Sequence, residues 1–200
     1  KSKFLIFKIE KNFFMIVHLG MTGKFFFIDK MRKKFKTSFY YLLDEKKDRK
    51  HNRVIIFFKD KQKLLYNDVR KFGFIKFYNS KELKDNHHFK SLGPEPLGKN
   101  WNVEYFKKYI IGKDRFIKNM LMDQKFVCGL GNIYVNEILF FSQVNPLRKV
   151  SSLKDIEIMK IIQYTKKILR NSIKSGGSSI KDFSTDDGKK GAFQQYFKVY

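Results

Sequence analysis

Two hydrophobic patterns succeed one another along the chain. Up to residue 83, apolar side chains come in short runs separated by turn-forming residues, as in β-structure. The spacing predicts strands over 3–9 and 13–18, joined as a hairpin at Glu10-Lys11-Asn12. Further strands are expected over 24–28, 53–58, 63–66 and 74–78, with Phe58-Lys59-Asp60-Lys61-Gln62-Lys63 as a second hairpin turn. The Lys-dense stretch 29–52 predicts a long loop or a ragged hairpin. From about residue 101 the period becomes helical. Asn102 is set to cap a helix over 103–111, and Asp114 one over 115–123. Gly129-Leu130-Gly131-Asn132 interrupts, and a helix over 133–141 follows, ending before Asn145-Pro146. Ser152 or Asp155 opens a long helix to about Ser175, stopped by Gly176-Gly177. The polar stretch 178–191 predicts a flexible loop, and 193–200 a final strand. Between the two patterns stands Gly93-Pro94-Glu95-Pro96-Leu97-Gly98, a rigid segment taken as the domain boundary. The expected class is α+β, with a β domain over 1–83, a linker over 84–100, a helical domain over 101–192 and a terminal strand over 193–200.

Composition sharpens this picture. Hydrophobic residues make up 42% of the 200, with 23 Phe and 10 Tyr, enough apolar surface for a core despite the high charge. No apolar run approaches the roughly 20 residues that span a bilayer. One cysteine, Cys128, excludes an internal disulfide framework and a Cys₄ or Cys₂His₂ zinc site, and points to a reducing compartment. Lys and Arg number 43 against 19 acids, a formal charge of +24. Compositional bias explains why Lys replaces Arg, but not why acids are so few. Nucleic acid is the expected polyanion. An anionic membrane is disfavoured, because no segment reads as a basic amphipathic helix with a clean apolar face. The chain opens at Lys1, within strand-like sequence, and stops at Tyr200 after another such run, so an internal fragment of a longer protein is expected.

Five motifs then occur in order: His18-Leu19-Gly20-Met21-Thr22-Gly23, Asp68-Val69-Arg70-Lys71-Phe72-Gly73, Leu92-Gly93-Pro94-Glu95-Pro96-Leu97, Gly129-Leu130-Gly131-Asn132-Ile133-Tyr134 and Gly176-Gly177-Ser178-Ser179. Together they resemble bacterial formamidopyrimidine-DNA glycosylase, which removes 8-oxoguanine and ring-opened purines from DNA. The resemblance implies an N-terminal β-sandwich, present in part over 1–83, and a helix–two-turns–helix domain over 101–192. It also implies a C-terminal zinc finger whose four cysteines would follow Tyr200. The family nucleophile, an N-terminal proline followed by glutamate, has no counterpart here. The expectation is therefore a bifunctional glycosylase and apurinic-site lyase in the whole protein, working through a Schiff base and β,δ-elimination, with this chain inactive by itself. Zinc belongs to the whole protein and not to these residues. The implied partner is double-stranded DNA carrying oxidised purines, bound by a monomer in the bacterial cytoplasm, at the nucleoid. The alternative is a damaged-DNA-binding module or degenerate paralogue without chemistry. A pyrimidine-specific sister enzyme is disfavoured by the Leu-Gly-Met-Thr-Gly and Arg70/Phe72 motifs.

Each candidate residue has an ordinary reading beside the implied one. Met21 is a gap-filler in a core or, by resemblance, the side chain that enters the space of an everted base. Arg70 is a surface partner of Asp68 or the group facing the orphaned cytosine, for which a planar fork of five donors is suited. Phe72 is a core residue or a wedge between base steps. Lys3 is one solvated lysine among many or, by resemblance, the proton donor of β-elimination. Asn132 is a helix N-cap, a phosphate grip, or both. His18, His51, Lys113, Lys118 and Tyr200 match positions that contact DNA, although Asp114 stands where many relatives are basic. Ser178, Ser179, Ile180 and Lys181 begin the stretch 178–191 that resembles the loop closing over the lesion. His87-His88 match nothing and read as exposed.

Overall fold

A computed structural model describes residues 2–28, 34–36, 49–177 and 193–199. The chain divides into two compact units, one built of residues 3–80 and 175–195, the other of 1–2, 81–174 and 196–200.

The first unit is a β-sandwich. One sheet holds β1 (Phe4–Glu10), β2 (Phe13–His18) and β7 (Phe74–Asn79) in the order β1-β2-β7. The other holds β3 (Lys24–Ile28), β4 (Lys34–Lys36), β5 (Asn52–Phe57) and β6 (Lys63–Asn67) in the order β4-β3-β6-β5. All pairings are antiparallel, with Phe4 opposite His18 and His18 opposite Phe74. Position within the sheet decides burial. The central strand β2 buries Met15, Ile16 and Val17, whereas the edge strand β1 leaves Leu5, Ile6, Phe7 and Ile9 exposed and bulges between Lys8 and Glu10. Met15 and Val17 meet Phe25 and Tyr66 of the facing sheet, with Leu19, Ile56, Leu64 and Ile75 packed around them. The hairpins expected at residues 10–12 and 58–63 are present, and the strand Lys34–Lys36 makes part of the 29–52 stretch a hairpin arm on β3.

The second unit contains α1 (Ser80–Asp85, continuing from β7), α2 (His87–Lys90), α3 (Val103–Ile110), α4 (Ile117–Met122), α5 (Asn132–Ser142) and α6 (Asp155–Lys174). The rings of Trp101, Tyr105, Phe106 and Tyr109 surround Phe126 with centroids 4.8–6.0 Å from it. Ile117, Met120, Leu121, Val127 and Cys128 complete an interior sealed from solvent. Asn102 caps α3, its side chain accepting from the Tyr105 N–H at 2.8 Å. No helix among the described residues is long and apolar enough to cross a membrane.

Four expectations are corrected. Residues 80–85 and 87–90 are helical, where the pattern ended a strand and began a linker; runs this short carry too few apolar positions to show a period. α4 begins at Ile117, not Arg115, and Asp114 does not cap it: Phe116 bridges Lys149, the Ile117 N–H donates to Arg148 O, and Asp114 pairs with Lys149 Nζ at 2.9 Å. The residue capping α5 is Gly131, in extended backbone, and Asn132 is the first helical residue. Of the expected strand over 193–200, Phe193–Tyr196 is a 3₁₀ turn. The Lys198 and Val199 N–H groups donate to the buried Glu137 carboxylate, at 2.9 Å each, instead of to a strand edge.

Candidate nucleic-acid interface

In the β unit, one buried carboxylate ties two loops together. Residues 19–23 connect β2 to β3, and residues 68–73 connect β6 to β7. Asp68 is fully buried. Its Oδ1 accepts from the Thr22 hydroxyl, and its Oδ2 from the Gly73 N–H at 2.9 Å and the Tyr66 hydroxyl at 3.2 Å. Thr22 in turn accepts the Arg70 N–H at 3.1 Å. Burial raises the Asp68 pKa, but the bonds from Thr22, the Gly73 N–H, Tyr66 and the Lys71 N–H outweigh it and hold the carboxyl below the usual range. The same contact, with burial the larger cause, pushes the Tyr66 phenol well above its ordinary value.

Where the two loops approach each other the backbone requires glycine. Gly20 has φ +61° and passes so close to the other loop that a Cβ would sit 2.8 Å from the Gly73 nitrogen. At Gly73 a Cβ would lie 2.0 Å from the Tyr66 hydroxyl oxygen. Close apposition lifts the intervening side chains outward. Met21 is 62% and Phe72 57% exposed, and Arg70 is exposed beside them. Arg70 Nη1 donates to Met21 Sδ at 3.4 Å, and the guanidinium lies over the Phe72 ring at 4.6 Å. Met21 and Phe72 are therefore not core residues, and Arg70 is not the partner of Asp68. The three form one protruding cluster.

Two further candidates join these loops. His18 Nδ1 accepts the Gly20 N–H at 3.1 Å, which puts the proton of the neutral ring on Nε2, while the ring packs between Phe4 and Phe74. The His51 carbonyl accepts the Asp68 N–H at 3.0 Å, and its ring approaches Arg53 Nη2 at 3.4 Å. Arg53 Nε donates to the Asp68 carbonyl at 2.9 Å and braces the same loop; nothing in its sequence context marked it. Lys3 precedes β1 at φ +65°, and surrounding protein desolvates its ammonium enough to lower its pKa.

The helical unit carries Lys113, Lys118 and Asn132. Lys113 follows α3, its ammonium 4.8 Å from the Tyr109 ring centroid. Lys118 lies in α4, and its N–H donates to Pro146 O at 3.3 Å. Asn132 is exposed at the first turn of α5. The turn between α4 and α5 is organised by Gln124, which sequence reasoning missed. Its Oε1 accepts from the Gly129 N–H at 2.7 Å and the Ser2 hydroxyl at 3.2 Å, and its Nε2 donates to the Met122 and Leu130 carbonyls at 3.0 Å each. Its own carbonyl accepts the Gly93 N–H at 2.9 Å, joining the Pro/Gly segment to the turn. Ser178, Ser179, Ile180, Lys181 and Tyr200 lie outside the described residues. Among the described residues no group of three or more His, Cys, Asp or Glu side chains could hold a metal ion, and Cys128 is buried. The residues described do not fit a zinc site.

Comparison with known proteins supplies the context. Residues 1–75 match the family model of the formamidopyrimidine-DNA glycosylase N-terminal domain, and residues 92–184 that of the formamidopyrimidine-DNA glycosylase H2TH domain. A formamidopyrimidine-DNA glycosylase of Rhodopseudomonas palustris is 34% identical over the whole chain, which covers 70% of that protein; one of Oceanobacillus iheyensis is 38% identical, with 66% covered. Among solved structures, the Lactococcus lactis enzyme in complex with DNA containing an abasic site superimposes with TM-score 0.81 at 32% identity, all of this chain covering 68% of that one. MutM in complex with DNA containing carbocyclic 8-oxo-G gives TM-score 0.81 at 31% identity, with 67% of that chain covered.

Proposed function

The chain belongs to the formamidopyrimidine-DNA glycosylase family, and on that footing we propose that it grips duplex DNA bearing oxidised purines, 8-oxoguanine and formamidopyrimidines, and holds the damaged base everted for excision. The carrying observation is the cluster of Met21, Arg70 and Phe72 on two loops tied by Asp68. Apolar tips beside an exposed guanidinium suit a wedge: Met21 fills the emptied stack, Phe72 enters a base step, and Arg70 offers its donors to the base left unpaired. A wedge assembled before DNA arrives loses little conformational freedom on insertion.

The remaining assignments follow. His18, His51, Lys113, Lys118 and Tyr200 contact DNA, and Asn132 with the first N–H groups of α5 receives a phosphate oxygen. Residues 178–191, opening with Ser178, Ser179, Ile180 and Lys181, cover the lesion. Residues 1–83 form the sandwich domain and 101–192 the DNA-binding helical domain. In the whole enzyme a secondary amine attacks the sugar C1′, expels the base and forms a Schiff base, after which β- and δ-elimination cut the strand. Lys3 donates the proton of β-elimination, and its lowered pKa makes it a stronger acid than an ordinary lysine. The 200 residues contain no proline before Pro94, so the chain as it stands supplies grip and wedge without the nucleophile. The alternative reading is a binder of damaged DNA without chemistry. The family zinc would lie in a finger beyond these residues.

Anisotropy titrations test the reading. The chain binds an 8-oxoguanine duplex with affinity that falls steeply with salt, and Arg70→Ala equalises affinity for lesions opposite cytosine and adenine. A flat salt response or an unchanged preference in Arg70→Ala overturns it. Borohydride yields no trapped adduct with this chain; trapping would reassign the nucleophile to one of its own amines. Trapping by the protein encoded by the complete reading frame separates the enzyme from the binder.

A further inference from the structure

We infer that Asp68 and Thr22 are positioning residues that make the two loops a single wedge, so that discrimination of the base opposite the lesion is set by a hydrogen-bond relay beneath the surface. The inference rests on the assignment of Met21, Arg70 and Phe72 as the wedge. The relay runs Asp68 Oδ1 to the Thr22 hydroxyl to the Arg70 N–H, and it crosses from one loop to the other twice. Thr22 carries Met21 as its immediate neighbour; Arg70 and Phe72 hang from the segment closed by the Gly73 N–H on Asp68 Oδ2. Movement of one loop therefore drags the other. Thr22 is buried, so its hydroxyl has no surface contact to make, and the chemistry of the site lies in the side chains it aligns.

Carboxylate and hydroxyl are each required by donor count. The two Asp68 oxygens accept from Thr22, Tyr66 and the N–H groups of Gly73 and Lys71, which are all donors. An amide would turn one oxygen into a donor facing donors. Thr22 must donate to Asp68 and accept from Arg70 at once, which a hydroxyl does and a methyl does not. Cutting the relay frees Arg70 to sample positions from which its fork no longer reads the orphaned base, while the lysines that supply charge attraction are untouched.

The test compares Thr22→Val, Thr22→Ser and Arg70→Ala in the 200-residue chain. Affinity is measured for 8-oxoguanine duplexes with cytosine or adenine opposite, and for undamaged duplex. A 2-aminopurine beside the lesion reports unstacking. Thr22→Val is expected to reduce the cytosine-over-adenine ratio by about tenfold, the equivalent of one bond to a charged group. It should also lower the 2-aminopurine signal and leave undamaged-duplex affinity unchanged. Thr22→Ser, which keeps the hydroxyl, restores both readouts. Val17→Ala in the sandwich core serves as the control for lost stability alone: it lowers the unfolding temperature and leaves the ratio intact. If Thr22→Val does not fold, the same comparison is made with Asp68→Asn. A wild-type ratio in the relay variant, with Arg70→Ala impaired, overturns the relay and leaves the wedge assignment standing. An unchanged ratio in Arg70→Ala removes both. Equal loss in Val17→Ala and the relay variant reduces Asp68 and Thr22 to structural support and overturns the inference.

Discussion

The Asp68 loops and the Gln124 turn solve one problem with different chemistry. Each must hold several backbone and side-chain polar groups that no strand or helix satisfies. Around Asp68 the groups to be satisfied are all donors, and a fully buried carboxylate takes them. Around Gln124 they are donors and acceptors in equal number, and a half-buried amide supplies both from one side chain. The polarity of the groups to be held dictates the residue type. A charged holder also makes its loops dependent on pH and intolerant of substitution, while a neutral holder open to water does neither to the same degree.

That contrast is sharpest in stability. Asp68→Asn is expected to lower the free energy of unfolding in urea by about 3 kcal/mol, since buried donors lose their acceptor. A change below ~1 kcal/mol would show that the loops relax without it. Gln124→Leu should lose about 1–2 kcal/mol, because water reaches part of what the amide leaves behind. If it loses more than Asp68→Asn, the ranking of charged over neutral holder fails.

Acid separates the two further. The Asp68 pKa is below its unfolded value, so its contribution is complete above an unfolded-state pKa of about 3.9 and is lost as pH falls through the folded-state value. The stability difference between wild type and Asp68→Asn should therefore shrink in that window, whereas the difference for Gln124→Leu stays level. Parallel curves for both variants would contradict the direction assigned to Asp68. The smallest effect concerns the helical unit's surface. Lys118→Ala should weaken binding alike for damaged and undamaged duplexes and reduce the log–log salt slope by about 0.9. A lesion-dependent effect would give Lys118 a role in the wedge's work.

Much of this was legible from residues alone, and the exceptions share a cause. The β2 strand and α6 carry enough apolar positions for their period to show. α4 starts two residues later than its pattern suggests because residues 115–117 are engaged by 148–150, distant in sequence. The 193–200 segment has strand-like composition, but the acceptor waiting for its N–H groups is a carboxylate on α5. The motifs named Met21, Arg70 and Phe72, and the ordinary alternative for Arg70 was a surface pair with Asp68. The pair does not form, because Asp68 is turned inward to Thr22, Tyr66 and Gly73.

Local order along the chain determined the class of each half, the turns between strands, the surplus of positive charge and the family. The class and the turns depend on neighbours a few residues apart, the charge on composition and the family on the order of motifs, all of which a sequence records. The tertiary structure alone decided that loops 46 residues apart at Thr22 and Asp68 share one carboxylate, that Met21 and Phe72 face outward, and that Gln124 joins the start of the chain to a helical turn. Such contacts follow from which buried polar groups find each other once the sheets and helices have packed, and no periodicity encodes that choice.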